Sequence, residues 1–131
     1  MPAIPAVPAV RILHIEDKPD IQAIIKRAIT KFLDSRIEVV AAASFKACKE
    51  LLEEDSNFSV VISDWVLEDS TGDRIFEYIQ INYPALIPNY MFLCSQHYEA
   101  DILCEKYGLP FLEKPCHPIQ IRTTIQKILD R

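Results

Sequence analysis

Residues 60–72 read VVISDWVLEDSTG, and this stretch decides the fold. Its first residues belong to a short apolar, β-branched run over residues 58–63, which is typical of a buried strand. Asp64 follows at the end of that strand, and Gly72 precedes a segment in which apolar residues recur at helical spacing as far as Pro84. The stretch therefore predicts one strand–helix unit with a carboxylate at the carboxyl end of the strand.

The same unit recurs on both sides of this stretch. Four further strands, each followed by a helix, are predicted at residues 10–15, 37–43, 90–94 and 109–113. Five strand–helix units joined by short loops favour a parallel sheet with helices on both faces. We therefore expect an α/β protein with a flavodoxin-like (βα)5 doubly wound sheet of strand order 2-1-3-4-5.

Single residues mark the helix boundaries. Pro19 falls in the first turn of the first helix, Ser44 is a candidate N-cap of the second, and Gly108 is a candidate C-terminal residue of the fourth. The fifth helix begins near Pro118. In the first helix, the apolar residues that recur at helical spacing are Ile21, Ile24, Ile25, Ala28 and Phe32.

The composition indicates one globular domain. The chain has 131 residues, of which 50% are hydrophobic and 25% are charged, and this is enough apolar material for one core. We expect residues 1–9, with proline at every third position, to be a flexible Pro-rich leader and residues 10–131 to form the domain. The net charge of -5 argues against a nucleic-acid or anionic-membrane partner.

The cysteines and the N-terminal segment favour a cytoplasmic protein. The N-terminus lacks the features of an export signal, and no apolar run approaches the ~20 residues that a membrane span needs. No CxxC pair is present, so we expect free thiols in a reducing compartment. The cysteines are Cys48, Cys94, Cys104 and Cys116.

Polar side chains follow four of the five predicted strands. Glu16 and Asp17 follow the first strand, Asp64 the third, Ser95 the fourth and Lys114 the fifth, whereas the second strand ends in alanines. In a sheet of this order, ligands bind at the carboxyl ends of the strands, beside the switch point between the first and third strands. We therefore expect these side chains to converge on one cleft.

The predicted cleft has the chemistry of a magnesium site. Three carboxylates in one cleft repel each other, and a hard divalent cation relieves that repulsion. Mg²⁺ prefers oxygen ligands and is usually held by one or two carboxylates plus a phosphate. Three acids and Lys114 carry a net charge of about -2, which Mg²⁺ (or Mn²⁺) would neutralise. The cleft would then accept an incoming phosphoryl group.

Four segments of the chain carry a family resemblance. The segments HIEDKPD, VVISDWVLEDSTG, FLCSQH and FLEKP resemble, in order and spacing, the receiver domain of two-component response regulators, of the stand-alone chemotaxis-receiver type. The resemblance spans residues 10–130. It implies a signalling domain that is not an enzyme in the ordinary sense but catalyses its own phosphorylation and dephosphorylation.

The resemblance implies a role for each polar residue of the cleft. Asp64 would accept the phosphoryl group from a phosphohistidine of a histidine kinase or phosphotransfer protein. Lys114 would bind Asp64 and then the phosphoryl oxygens, and the Lys114–Pro115 bond is commonly cis in this family. Ser95 would donate its hydroxyl to the phosphoryl group. An ungapped count from Asp64 favours Cys94 for that place, but a thiol is a weak donor.

The resemblance also implies the metal ligands. Asp17 would bind Mg²⁺ directly, and Glu16 would hold the ion or one of its waters. Asp64 and the backbone carbonyl of Val66 would complete the protein's share of the ligands. Acids at the start of a helix are also favoured by its dipole, and both explanations of Glu16 and Asp17 can hold together.

Two further pairs of residues follow from the resemblance. Ser95 and Phe111 would form the switch, in which the ring of Phe111 moves into the space that Ser95 leaves; a plain core phenylalanine is the alternative. Val66 and His97 would flank the phosphoryl group and tune its hydrolysis. Because the side chain of Val66 cannot bind the attacking water, we expect a long-lived aspartyl phosphate.

The resemblance implies output through protein contacts. We expect a downstream protein target or a homodimer to use the face formed by the fourth helix, the fifth strand and the fifth helix. The candidate residues on that face are His97, Tyr98, Glu99, Lys106, Tyr107, Gln120, Arg122 and Thr123.

The same residues bear on other possible functions. The main alternative is a pseudo-receiver with the same fold that acts as an interaction module without phosphorylation. A haloacid-dehalogenase-type phosphatase would need an acid where Val66 stands, and a flavodoxin would need a Ser/Thr/Gly-rich phosphate loop after the first strand. A zinc site would use Cys94, Cys116, His97 and His117, whose spacing fits no common zinc pattern.

Overall fold

The computed structural model describes residues 10–32 and 36–131, in which five strands alternate with five α-helices. The strands are β1 (Val10–Ile15), β2 (Ile37–Ala42), β3 (Val60–Ser63), β4 (Tyr90–Cys94) and β5 (Phe111–Glu113). The α-helices are α1 (Pro19–Phe32), α2 (Phe45–Glu54), α3 (Gly72–Asn82), α4 (Tyr98–Tyr107) and α5 (Pro118–Leu129). A 3-10 helix covers Pro84–Asn89. The expected leader, residues 1–9, lies outside the described residues.

The strands form one parallel sheet in the order β2-β1-β3-β4-β5. This confirms the predicted flavodoxin-like α/β fold and its strand order. The register aligns the last residues of adjacent strands: Ile15 lies opposite Ala42 and Ser63, and Cys94 lies opposite Glu113. The residues that follow these positions therefore emerge at one rim of the sheet.

Two core layers cover the two faces of the sheet. Alternate strand residues face opposite sides, so Leu13 and Val61 pack with buried residues of α2, α3 and α4. Ile12 and Val60 pack on the other side with α1 and α5. Because both faces of the sheet are covered at its centre, β3 and β4 are buried throughout and are almost entirely apolar instead of alternating.

The four cysteines differ in exposure. Cys48, Cys94 and Cys104 are buried, whereas Cys116 is half-buried, and all four are free thiols. Burial raises the pKa of the Cys48 thiol to about 12 and that of Cys104 to about 11. The expectation of free thiols is therefore confirmed.

The predicted helix boundaries are largely correct. The Ser44 hydroxyl accepts the backbone N–H of Ala47 at 3.0 Å and caps α2. Gly108 ends α4 in the left-handed conformation, with φ 65°. Pro19 and Pro118 begin α1 and α5. Within the described residues, each helix is too short or too polar to cross a membrane.

The fifth strand is shorter than predicted. It begins at Phe111 and not at residue 109, because Pro110 has no N–H to offer the sheet. The backbone N–H of Leu109 instead donates to the carbonyl of Cys104 at 2.9 Å and completes the end of α4. The third strand also begins late, at Val60, and the second ends at residue 42 instead of 43.

Candidate functional site

Backbone hydrogen bonds hold the first residue after each of three strands. The N–H groups of these residues continue the pairing of the sheet by one step beyond the strand ends. The N–H of Glu16 donates to the carbonyl of Ala42 at 2.9 Å, that of Asp64 to the carbonyl of Ile15 at 3.0 Å, and that of Lys114 to the carbonyl of Cys94 at 2.8 Å. The side chains of Glu16, Asp64 and Lys114, which follow β1, β3 and β5, are thus positioned by the sheet itself and not by a flexible loop.

Three carboxylates meet at this rim. Glu16, Asp17 and Asp64 each offer an oxygen, and these oxygens lie within 4.8 Å of one another. Glu16 is fully buried, whereas Asp17 and Asp64 are half-buried. The structure therefore brings together the acidic residues that the sequence placed at the ends of the first and third strands.

Lys114 joins the acidic cluster from the fifth strand. Its Nζ lies 3.0 Å from Oδ2 of Asp64 and also donates to Oε1 of Glu16. The Lys114–Pro115 bond is cis, as the resemblance led us to expect. The ammonium group therefore links β5 to the ends of both β1 and β3.

Burial and ion pairing act against each other at Glu16 and Lys114. Burial raises the pKa of Glu16 to about 7, with a contribution from the neighbouring Asp64, while the hydrogen bond from Lys114 opposes the increase. Burial disfavours the charge of Lys114, but its hydrogen bonds with Glu16 and Asp64 outweigh that effect and raise its pKa above the ordinary value. The lysine is therefore protonated at neutral pH.

The acidic cluster fits a hard divalent cation. The second carboxylate oxygen of Glu16, Oε2, is buried and finds no hydrogen-bond partner among the described residues. A buried charged oxygen without a partner is costly, and a bound cation would remove that cost. All three side chains offer oxygen ligands. Mg²⁺ and Mn²⁺ prefer oxygen ligands, whereas soft metals prefer sulfur.

Asp64 faces an open cleft of about 250 Å³. The backbone N–H of Trp65 donates to its Oδ1 at 2.7 Å, and Lys114 binds its Oδ2. Cys94 and Ser95 both line this cleft. Ser95 is exposed, whereas Cys94 is 1% exposed and burial raises the pKa of its thiol to about 12. Of the two rivals, Ser95 is the one that solvent and a ligand can reach.

The other predicted residues lie around the cleft at different depths. Val66 and His97 line it, and the side chain of Val66 is 61% exposed. The ring of His97 lies 5.1 Å from that of Trp65. Phe111 is half-buried and lines a neighbouring cavity of about 560 Å³ instead of the cleft. The structure thus places Phe111 beside the site and not within it.

The four residues of the zinc alternative do not gather. Within the described ranges, the group of metal-ligating side chains at bonding separation consists of the three acids. His117 has another role, because its Nδ1 accepts the backbone N–H of Ile119 at 3.1 Å and caps α5.

Two residues make contacts that the sequence did not predict. The side-chain amide of Gln22 donates to the backbone carbonyl of Glu16. Asp69, in the loop between β3 and α3, accepts the N–H groups of Phe45 and Lys46 at 2.9 and 3.0 Å. The acid Asp69 was visible in the sequence, but no local signal connects it with residues of α2 that precede it by 24 and 23 positions.

Comparison with known proteins defines the class. The family model of the response regulator receiver domain matches residues 12–126, and the chain belongs to that family. It is therefore a signalling domain of two-component systems. No curated protein matches the chain at a significant level.

Solved structures show the same fold. A receiver domain protein from Clostridium thermocellum is 26% identical, with a TM-score of 0.78 over 93% of this chain and 95% of that one. A CheY-like receiver domain protein from Methanospirillum hungatei is 21% identical, with a TM-score of 0.78 over 92% and 94%. The response regulator TrrA from Thermotoga maritima, solved in complex with Mg²⁺-BeF, is 17% identical, with a TM-score of 0.77 over 92% and 99%.

Proposed function

We propose that this receiver domain accepts a phosphoryl group on Asp64 from a phosphohistidine of a histidine kinase or phosphotransfer protein, in a Mg²⁺-dependent reaction. The arrangement of Asp64 is the observation that carries the proposal. Its two carboxylate oxygens are held by the N–H of Trp65 and the ammonium group of Lys114, and the group faces an open cleft beside two further carboxylates.

The transfer exchanges one bond to phosphorus for another. A carboxylate oxygen of Asp64 attacks phosphorus, the P–O bond forms, and the P–N bond to the partner's imidazole breaks. The leaving imidazole nitrogen takes up a proton. The fixed orientation of Asp64 favours in-line attack, because positioning and charge neutralisation supply most of the catalysis in this type of reaction.

Glu16, Asp17, Asp64 and the carbonyl of Val66 would hold the Mg²⁺ ion. Bound Mg²⁺ would supply positive charge that offsets the carboxylates and the phosphoryl oxygens. Support comes from the shared oxygen cluster and from the buried oxygen of Glu16 that lacks a partner within the described part of the chain. The relative from Thermotoga maritima was solved in complex with Mg²⁺-BeF.

Lys114 and Ser95 would bind the phosphoryl oxygens after transfer. An aspartyl phosphate adds charge and strong acceptor oxygens, which need donors. Lys114 already lies 3.0 Å from Asp64, and Ser95 lines the same cleft. A movement of Ser95 towards the phosphate, followed by the ring of Phe111, would alter the face of α4, β5 and α5 that a downstream protein or a second copy contacts.

Val66 and His97 would set the lifetime of the phosphate. Both side chains line the cleft, and the exposed side chain of Val66 has no group that could hold the attacking water. We expect an aspartyl-phosphate half-life of minutes or longer in purified protein with Mg²⁺. A half-life of a few seconds would contradict this role of Val66.

Phosphorylation with acetyl phosphate tests the central claim. Phosphate-affinity electrophoresis should show a slower band that needs Mg²⁺ and is absent in Asp64→Asn. The fluorescence of Trp65, which is buried against the site, should change on addition of Mg²⁺ and again with beryllofluoride. A protein that folds normally but gives neither the band nor the fluorescence change is the pseudo-receiver of the alternative hypothesis.

A further inference from the structure

The groove between α3 and α4 adjoins the phosphorylation cleft, and Trp65 lines both. It has a volume of about 480 Å³, within the range of about 300–1,000 Å³ in which ligand pockets fall. Its lining residues include Trp65 and Phe76, both 2% exposed, and Leu103. The groove therefore offers a concave apolar surface that none of the proposed steps on Asp64 uses.

The wall formed by α4 exposes apolar side chains on the groove side. Ala100 and Cys104 of this helix are buried against the sheet, but Ile102 is 48% exposed and Tyr107 is 39% exposed, and both line the groove. A helix that presents apolar residues to solvent as well as to the core has a face suited to a further partner.

The rim of the groove is acidic. Asp73 and Glu77 of α3 and Glu99 of α4 stand against one cation, Lys106, which gives a formal charge of -2. Among the described residues, none of the three carboxylates forms an ion pair with a basic side chain. Lys106 lies 5.3 Å above the ring of Tyr107, an arrangement that shows a cation seated on an aromatic wall of this groove. The charge and the aromatic walls together select a ligand that is both basic and apolar.

We propose that the groove between α3 and α4 binds a short segment of a partner protein in which arginine or lysine side chains alternate with large apolar ones. The apolar side chains enter the groove against Phe76 and Leu103, and the cations bind the carboxylates of Glu77 and Glu99. This surface shares Glu99, Lys106 and Tyr107 of α4 with the expected output face, but it continues onto α3 instead of β5 and α5. Binding to it does not require that Asp64 be phosphorylated.

A model peptide tests the proposal on the unphosphorylated protein without Mg²⁺. The probe is a capped pentapeptide of alternating leucine and arginine, titrated into ¹⁵N-labelled protein. We expect saturable shift changes at groove residues and a change in Trp65 fluorescence. The counterpart of alternating leucine and glutamate should not bind, and equal binding of the two peptides would overturn the proposal.

Matched variants distinguish the effect of the charges at the groove from the effect of the overall charge of the protein. The double variant Glu77→Gln/Glu99→Gln should weaken binding of the arginine peptide roughly fivefold, as expected for the loss of two exposed ion pairs. The double variant Glu50→Gln/Glu54→Gln removes two exposed charges from α2 and should bind like the native protein. An equal loss in both variants, shift changes centred elsewhere, or groove shifts caused by protein concentration alone would each overturn the proposal.

Discussion

Glu16 is the carboxylate of the site with the least access to water. It is 0% exposed, Lys114 binds one of its oxygens, and the other lacks a partner within the described ranges. A side chain in this position is sensitive to any change of charge in the cleft, because the surrounding medium screens it poorly.

The proton of Glu16 is expected to compete with Mg²⁺. Burial raises its pKa to about 7, so Mg²⁺ affinity should increase as the pH rises through 7. In the metal-free protein, the contribution of Glu16 to the free energy of unfolding should change in the opposite direction. It is complete below pH 4.5 and is lost as the pH rises through 7. Mg²⁺ titrations followed by Trp65 fluorescence at several pH values measure the first trend. The variant Glu16→Gln should lose it.

Gly72 shows how closely the residues behind Asp64 are packed. A Cβ atom at this position would lie 2.8 Å from the ring of Trp65, 2.9 Å from that of Phe92 and 3.0 Å from the carbonyl of Asp64. The constraint is therefore one of space, which only a glycine satisfies without movement of its neighbours.

We expect Gly72→Ala to lower the free energy of unfolding by about 1–3 kcal/mol through overpacking and to change Trp65 fluorescence. Gly108→Ala is a suitable control, since its added Cβ meets no atom within 4 Å but its φ of 65° disfavours a side chain. It should cost about 1–2 kcal/mol without altering Trp65. Urea unfolding followed by circular dichroism gives both values, and unchanged fluorescence in Gly72→Ala would contradict the packing argument.

The sequence was sufficient to predict where the residues that follow the strands would lie. It was insufficient to predict the contacts of residues whose partners are distant in the chain. Asp64 and Lys114 could be placed because each follows a short apolar run, and parallel strands end at a common rim. The tight packing of Gly72 and the capping role of Asp69 depend on residues that only the fold brings near. The position of Phe111 beside the cleft was likewise out of reach, since spacing along a strand does not determine where a ring points.

At the scale of elements, α2 is held at its N-terminus from two directions. Ser44, its own N-cap, accepts one N–H, and Asp69 from the β3–α3 loop accepts the first two. Slight burial favours the neutral acid, but these backbone hydrogen bonds and Lys49 prevail and lower the pKa of Asp69. The loop that carries Val66 is thereby tied to a neighbouring helix.

We expect Asp69→Ala and Ser44→Ala each to destabilise the protein by about 1 kcal/mol, the usual cost of a lost cap. The cost of Asp69→Ala should shrink in acid, because a group with a lowered pKa loses its contribution as the pH falls through that pKa. Urea unfolding at neutral and acid pH measures the difference. A cost for Asp69→Ala that does not depend on pH would mean that its charge is unimportant.

Periodicity predicted the elements better than it predicted their faces. In α1, helical spacing grouped Ile24 with Ile25 and Ala28, yet Ile24 is 58% exposed while the other two are buried. Because Ile24 and Ile25 are adjacent in sequence, their side chains point in different directions around the helix. The structure buries Ile29 instead of Ile24. The 3-10 helix at residues 84–89 was not predicted, because two prolines in six residues are typical of a loop.

For the molecule as a whole, Lys114 is the connection between the last strand and the first half of the fold. Its ammonium group binds Glu16 after β1 and Asp64 after β3, which lie 98 and 50 residues earlier in the chain. The same group offsets part of the negative charge in the cleft, so we expect both the stability of the metal-free protein and its response to Mg²⁺ to depend on it.

We expect Lys114→Met to lower the stability of the metal-free protein by about 1–3 kcal/mol, because a buried acceptor loses its partner. Mg²⁺ should then stabilise the variant more than it stabilises the native protein, since the ion compensates the charge that the ammonium group no longer offsets. Urea unfolding with and without Mg²⁺ measures both effects. Equal stabilisation of the two proteins by Mg²⁺ would contradict this account.

The uneven burial of the cysteines leaves one thiol within reach of a reagent in the folded state. Cys48, Cys94 and Cys104 are enclosed by the core, whereas Cys116 stands two residues after Lys114 and is only half-buried. A maleimide dye should therefore attach to Cys116 first, without mutagenesis. The native chain thus carries its own labelling position at the edge of the proposed switch, suited to watching single molecules change state.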